Sequence, residues 1–518
     1  MNAIWQALVD AKLVPQELAV PDLSVSVAWG DDLLPGIIQT WIRHLSNSAE
    51  SRTGSAGAVL AALLSQRQRG AKLTWGIPGF DERLSGEWLG TRLAWWPRGV
   101  PHGRRVGLVS SRLGQDLDRR KSWFTVLRAA CMKLDPQRDI LLTAGSTTTA
   151  RFARRCGQLF GLRVLFVDIV DDQRTSLGRW TETAVLAHDH KNTSCDLVSM
   201  SPPLALDQGR NQVDSLVGLP DRDRATVALS DRLVALHVRP RGHLDHLLRA
   251  RLTEPDFPAA SIYLALGPEL VRKELADQLM ELGAVGWFVF DAAGQSDDAA
   301  PPPWPEARTA DRRPAPVISL PDLRDWPYLT HCTRRRHGPW PDEDENEFLD
   351  DLILDRAGAD HSALAALWRI VRSRRLIASA DLVRGDTSVV SFTAVPLSEI
   401  HQLHAFRSHL GRWDFEPYGV CIRRDWLERR GARPVVYCDE QAWSDLAIED
   451  RPFFQKKESK TPSGRLVDWT IEREWRHTGD VPLGEIPEDS ALLCVPSESE
   501  AEQLAAISRW PVVVTRWG

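Results

Sequence analysis

The chain has 518 residues, 43% hydrophobic and 26% charged, and its 64 basic and 70 acidic side chains leave a formal charge of -6. That length gives room for two to four domains with several buried cores. The mild acidity argues against a surface dominated by nucleic-acid contacts while leaving room for a local basic patch.

In chain order, residues 1–100 read as a helical lead-in of undisclosed role, with "GAVLAALLSQ" helical and "RLAWWPRGVP" a strand running into a turn. From 101 to 291 strands and helices alternate. "RRVGLVSS" (104–111) suits a buried strand, and "DRRKSWFTVLRAACMKL" (118–134) carries Trp123, Val126, Leu127 and Ala130 at helical spacing. Strand "DILLTA", helix "TARFARRCGQLFG" and strand "LRVLFVDIV" follow. The rhythm continues as strand "DRLVALHVR" (231–239), helix "HLDHLLRARL", strand "SIYLAL", helix "PELVRKELADQLMELG" and strand "GWFVFD". This alternation predicts an α/β fold: a Rossmann-like parallel sheet with flanking helices and right-handed crossovers. Ligands of such sheets bind at the carboxyl ends of the strands.

At that end of the second parallel strand stand Gly145, Ser146, Thr147, Thr148 and Thr149, just before a helix. Backbone N–H groups at a helix start, aided by hydroxyls, hold phosphate. Ser111, Arg112 and Gly114, in "VSSRLGQ" after the preceding strand, would face the same crevice, with Arg112 as a bidentate phosphate contact. An ordinary helix cap is the plain alternative for any one of these hydroxyls. The pair "VGLVSSRLG" and "LLTAGSTTTARFARR", with "SDRLVALHVRPRGHLDHLLRARL" beyond, resembles the SLOG superfamily over about residues 104–291. That superfamily includes the DNA-processing DprA proteins and the LOG nucleotide hydrolases, and the resemblance implies a nucleotide-binding domain. The glutamate that follows the LOG glycine-threonine pair has no counterpart in "AGSTTTARF". The departure favours binding or sensing over base-releasing hydrolysis.

Residues 292–327, rich in proline, alanine and mixed charge, read as a linker. Beyond it, 328–518 reads as an α+β domain. "YLTHCTR" (328–334) is expected to be a strand with His331 and Thr333 on one face, and "SVVSFTAVPL" (388–397) a strand with Ser391 and Thr393 aligned. "DWTIEREWRH" (468–477) alternates, so that Thr470, Glu472, Glu474 and Arg476 point one way and Trp469, Ile471 and Trp475 the other. A fixed carboxylate beside a histidine and hydroxyls can stabilise an oxocarbenium-like ribose, with Tyr418 a wall for the leaving base. Glu472 and Glu474 would be the catalytic carboxylates, with His331, Ser391 and Thr393 holding the ribose. A solvated strand face whose acids pair with arginines is the plain alternative. The motif order resembles that of ADP-ribosyltransferases. The stretch from "VVSFTAVPL" through "RRDWLERRGARPVVY" to "DWTIEREWR", about 328–483, resembles the abortive phage resistance protein AbiGi, antitoxin, family, with "RSHLGRWDFEP" as an extra insertion. This resemblance implies a context of bacterial antiviral defence.

"PDEDENEFLDDLILD" (341–355) lacks the glycine and ligand spacing of a calcium loop and reads as the solvated start of an amphipathic helix. Cys131, Cys156, Cys195, Cys332, Cys421, Cys438 and Cys494 form no C-x-x-C pair, so neither a metal nor a disulfide framework is expected. No apolar run reaches the ~18 residues of a membrane span. "MNAIWQALVDAKLVPQ" lacks the pattern of a secretory leader, so a cytoplasmic protein without membrane contact is expected.

Three functions are open at this point. In the leading one a SLOG-like domain binds a nucleotide, NAD or another, and an AbiGi-like domain is the output, cleaving NAD or transferring ADP-ribose. In the second the protein is a non-enzymatic nucleotide sensor that binds a partner protein. In the third, disfavoured by the overall acidity, Arg104, Arg105, Arg112 and Arg119 face nucleic acid in the manner of DprA.

Overall fold

In this computed structural model the structure describes residues 2–16, 28–47, 55–170, 174–187, 195–204, 216–267, 269–289, 313–320, 325–380, 383–407, 411–460, 464 and 466–515. The chain divides into two compact units, one over 1–296 with 352–355, the other over 297–351 with 356–518. No helix of the described residues is long and apolar enough to cross a membrane.

The first unit is a nine-stranded sheet with helices around it. Its strands are β1 (Lys72–Trp75), β2 (Leu93–Trp96), β3 (Arg104–Ser110), β4 (Asp139–Ala144), β5 (Arg163–Ile169), β6 (Asp196–Met200), β7 (Arg232–His237), β8 (Ile262–Leu266) and β9 (Val285–Phe288). Its helices are α1 (Asn2–Asp10), α2 (Leu34–Asn47), α3 (Ser55–Gln68), α4 (Glu82–Leu89), α5 (Lys121–Met132), α6 (Ala150–Phe160), α7 (Leu177–Trp180), α8 (Asp221–Leu229), α9 (His243–Thr253) and α10 (Lys273–Glu281). The order across the sheet is β1-β2-β6-β5-β4-β3-β7-β8-β9, and every neighbouring pair from β6 to β9 is parallel. The lead-in is therefore more than helical: β1 and β2 form an antiparallel pair that extends the sheet through β6. Their Leu73, Trp75, Leu93 and Trp95 pack with Leu34 and Trp41 of α2 in one core.

The parallel strands are apolar on both faces because both faces are covered. Ile140, Leu142 and Ala144 of β4 share a core with Leu229 of α8, Leu248 of α9 and Leu279 of α10. Outside that core, Trp123 and Phe124 of α5 and Phe152 of α6 meet edge-on, with centroids 4.9 to 5.3 Å apart. The chain moves outward from β3 through β4, β5 and β6, and α8 then returns it to β7 on the other side of β3. Loops leaving β3 and β7 therefore diverge, which opens a crevice at their carboxyl ends.

The second unit is built on an eight-stranded sheet: β10 (Val317–Ser319), β11 (Tyr328–Cys332), β12 (Val389–Thr393), β13 (Gly419–Arg423), β14 (Arg433–Pro434), β15 (Glu474–Thr478), β16 (Ala491–Val495) and β17 (Val512–Val514). The order is β10-β17-β16-β13-β11-β12-β15-β14, antiparallel except where β17 meets β10 and β16. Strand β10 lies inside the stretch read as a linker. Pairing with β17 supplies partners to a segment whose composition could not fold alone, and residues 292–312 and 321–324 of that stretch lie outside the described residues.

Two cores cover the two faces of this sheet. Leu329, Val390, Phe392, Val420, Ile422 and Leu493 pack with α11 (Ala363–Ser373) and α12 (Glu498–Ala505) through Leu367, Val371 and Leu504. Cys421, Leu492, Cys494 and Val513, with Tyr328 and Cys332 beside them, pack against Leu397, Ile400 and Leu403. The acidic stretch forms the helix Glu345–Leu354, whose Phe348, Leu349 and Leu352 are buried. Small two-stranded pieces join Ala405–Arg407 to Arg412–Asp414, Val436–Cys438 to Phe454–Lys456, and Glu458–Lys460 to Leu466–Asp468.

Candidate functional site

The crevice of the first unit is a cleft of about 630 Å³. Its rim brings together Arg112 and Gly114 after β3, Ser146, Thr147 and Thr148 after β4, Arg151 and Arg154 on α6, and Arg239 after β7. Phe152 and Phe166 add aromatic surface. The size fits a small-molecule ligand. Among the described residues no carboxylate lines the cleft, whereas all four arginines are exposed.

Local chemistry explains the shape of the loop after β4. Ser146 adopts a left-handed φ of 60°, a strained conformation for a residue with a Cβ. Thr147 Oγ1 donates to Ala144 O (2.8 Å), and Thr149 Oγ1 donates across to Leu108 O in β3 (2.9 Å). Thr149 stands at the N-cap of α6 but makes no side-chain bond to the helix's first N–H groups. The plain reading of these hydroxyls as helix caps therefore fails, because the one at the cap position serves the β3–β4 seam.

The first turn of α6 contains no acid, and Arg151 and Arg154 occupy its opening turns. Cations at the positive end of a helix are unfavourable, by roughly 0.3–1 kcal/mol each. Arg154 lies over the Phe166 ring at 4.9 Å, and the Arg239 guanidinium donates to Arg112 O at 2.7 Å. These contacts set the two side chains at the rim. His237, the last residue of β7, is held below its ordinary pKa by burial first, with the positive charges of Arg239 and Arg120 acting in the same direction.

Of the residues expected in this site, Arg112, Gly114, Ser146, Thr147 and Thr148 line the cleft, and Ser111 and Gly145 support it. Ser111 Oγ accepts the Arg239 N–H (3.1 Å), and a Cβ at Gly145 would sit 3.4 Å from the Phe166 ring. Arg151, Arg154, Arg239 and Phe166 escaped the sequence reading. The repeated arginines of "ARFARR" and "HVRPRG" were the available signal.

The second candidate site is only partly assembled. In β12 and β15, Ser391 faces Arg476 and Thr393 faces Glu474, and Thr393 also faces Thr330 of β11. His331 has the opposite parity and lies on the other face of the sheet, against Phe392 (centroids 5.9 Å apart). Thr330 takes the place expected of His331, because the side-chain period of two leaves no latitude. His331 Nδ1 donates to Ser391 O (2.9 Å), and desolvation lowers its pKa to about 4, so the ring is neutral at physiological pH. Thr333 lies past the strand and donates to Ala363 O (2.8 Å).

The expected strand over 468–477 is broken. Asp468 accepts from the Thr470 N–H (3.0 Å) and hydroxyl (2.7 Å), which starts a short 3-10 turn over Thr470–Glu472. Arg473 then takes a left-handed φ of 43°, and β15 begins only at Glu474. Thr393 Oγ1 donates to Glu472 O (2.6 Å), fastening the turn to β12.

The two glutamates meet different fates. Glu474 is paired with Arg476 through Nε (2.8 Å) and Nη2 (3.0 Å), and this nearly buried arginine also donates to Pro452 O, Phe454 O and Gln455 Oε1. Glu472 is 17% exposed and 3.3 Å from Arg407 of the 405–414 hairpin. Burial first, and then the Glu474 charge, raise its pKa to about 8. Arg407 and Arg412 also hold Asp414 (3.1 and 3.2 Å), and Arg407 lies over Trp469 at 4.9 Å. These hairpin residues were missed in sequence because no motif marks them. Tyr418 donates to Glu500 Oε1 (2.9 Å) beside α12 and forms no wall next to the glutamates. Among the described residues no cluster of His, Cys, Asp and Glu could hold a metal.

No family model and no curated protein matches the chain. Among solved structures, DNA processing protein A (DprA) from Streptococcus pneumoniae is a neighbour. The identity is 14%, the match covers 55% of this chain and 90% of that chain, and the TM-score is 0.27. At that score the likeness carries no weight for function.

Proposed function

We propose that the first unit binds a phosphate-bearing nucleotide in the cleft at the carboxyl ends of β3, β4 and β7. The observation that carries this reading is the start of α6. A helix that opens without an N-terminal acid, places Arg151 and Arg154 at its positive end and leaves its cap hydroxyl engaged elsewhere is arranged for an anion. Arg112 and Arg239 bring two more guanidinium groups to the same cleft. The motif likeness to the SLOG superfamily supports the same reading. Calorimetric titration of the full chain with a panel of linear and cyclic nucleotides tests it. We expect binding that falls at least about tenfold in Arg151→Gln, the loss of one charge-assisted contact. Unchanged affinity in Arg151→Gln with Arg154→Gln would sink the assignment.

The exposure of all four arginines favours a single-stranded nucleic acid as the second reading. Oligonucleotide affinity that drops steeply with added salt, exceeding that of any nucleotide, selects it.

For the second unit the proposal is an output domain, with antiviral defence as a context that rests on the AbiGi resemblance alone. An oxocarbenium-like ribose needs an ionised carboxylate. Glu474 has its charge engaged by Arg476, and Glu472 carries a proton below about pH 8, so Glu472 suits a proton donor better. NAD loss on incubation with the protein, abolished by Glu472→Gln, supports an NAD-cleaving output; no loss with the unaltered chain removes it and leaves partner binding.

A further inference from the structure

We infer that the cleft reads its ligand almost wholly through hydrogen-bond acceptors, so that it takes ribo- and deoxyribonucleoside triphosphates alike and gains affinity with each added phosphate. This deepens the nucleotide reading of the cleft and rests on it.

The donor and acceptor inventory of the lining carries the argument. Arg112, Arg151, Arg154 and Arg239 are donors only. Asp, Glu, Asn and Gln are absent from the lining among the described residues. In dinucleotide-binding Rossmann folds a carboxylate accepts from the ribose hydroxyls. Here β4 runs directly into Gly145 and Ser146. Asp168 of β5 accepts from Ser199 Oγ (3.3 Å) and does not line the cleft. The side-chain acceptors that remain are the neutral hydroxyls of Ser146, Thr147 and Thr148. They stand at the positive end of α6, where the phosphates belong rather than the sugar. Among the described residues a 2′-hydroxyl therefore meets no charged acceptor, and removing it leaves no buried carboxylate of the lining unpaired.

The spread of the arginines sets the dependence on phosphate number. Arg239 follows β7 and Arg151 stands on the helix after β4, with β3 between those strands. Neighbouring strands are about 4.8 Å apart, so the two strands that lead to these arginines are separated by roughly 10 Å, more than one phosphate group covers. Each planar guanidinium matches two phosphate oxygens, and a chain of phosphates engages more of the four than a single one can.

The test is calorimetric titration of the full-length chain, at one fixed salt concentration, with the four ribonucleoside triphosphates, their 2′-deoxy forms, and the monophosphate of the best-binding base. The expected result is a Kd for each ribo and deoxy pair that agrees within about twofold, and a monophosphate at least about tenfold weaker. Arg239→Gln should weaken the triphosphate more than the monophosphate. A deoxy form at least about tenfold weaker than its ribo partner overturns the sugar-blind reading, and a monophosphate as tight as the triphosphate overturns the phosphate count. Silence from every ligand instead removes the nucleotide assignment itself.

Discussion

Glu472 and Glu474 lie two residues apart, yet their surroundings differ: Glu474 is paired with the buried Arg476, while burial raises the pKa of Glu472. Glu474 balances Arg476, whose side chain is 3% exposed, and removing one partner of such a pair leaves the other charge buried and alone. Glu474→Ala is therefore expected to destabilise the second unit by about 3 kcal/mol, and Glu472→Gln, which mimics a carboxyl already protonated, by less than about 1 kcal/mol. Thermal unfolding of both variants at pH 7 checks the contrast. A pH dependence follows from the Glu472 shift. Its pKa rises from 4.5 in the free side chain to about 8 in the fold, so between these values the folded state holds a proton that the unfolded state has released. This contribution is complete below pH 4.5 and disappears as pH rises through about 8. The unfolding midpoint should fall across that window and fall less in Glu472→Gln; parallel profiles would refute the assignment. The charged groups that face Glu472 are Glu474, Arg407, Asp414 and Arg476.

At the scale of the element, the proposed ligand site sets α6 stability against binding. Arg151→Glu places an acid where the helix dipole favours one, so the ligand-free protein should become more stable by about 0.5 kcal/mol while the proposed nucleotide binding is lost. Melting with and without ligand reads both effects. In the same helix Gly157 packs on β5, and a Cβ there would lie 2.3 Å from Val164 Cγ2. Gly157→Ala should therefore destabilise by about 1–3 kcal/mol although alanine is the better helix former. The parallel strands were legible in sequence because runs such as "DILLTA" are apolar throughout, and the loop at Gly145 was legible because its chemistry is local. Arg239 reaches the same cleft from almost a hundred residues away, and only the return of the chain to β7 brings it there. The 468–477 strand was misread because side-chain bonding by Asp468 outranks an alternating pattern, which says nothing about the left-handed turn at Arg473.

For the whole molecule, each unit has its own sheet and its own cores. A ligand of the cleft binds the first unit only, and at a hundred times its Kd it should stabilise that unit by about 2.7 kcal/mol. Calorimetric unfolding is expected to show two transitions, one that moves with nucleotide and one that moves with Glu474→Ala. A single transition shifted equally by both would show the units to be thermodynamically inseparable. The parity of His331 was the chief misreading at this scale. A strand read alone does not disclose its register, and one residue decides which face a side chain joins.

The hairpin of residues 405–414 turns Arg407, Arg412 and Asp414 inward and leaves Phe406 and Trp413 exposed. Arg407, Arg412 and Asp414 all belong to the stretch "RSHLGRWDFEP" (407–417). Deleting it would strip the cover from Glu472 and return its carboxyl to water, where it ionises like any surface acid. A hairpin can thus set the protonation of a residue more than fifty positions downstream without altering the local motif. Among chains that share the Glu-x-Glu pair, hairpin length would then sort those whose first glutamate holds its proton at neutral pH from those whose first glutamate does not.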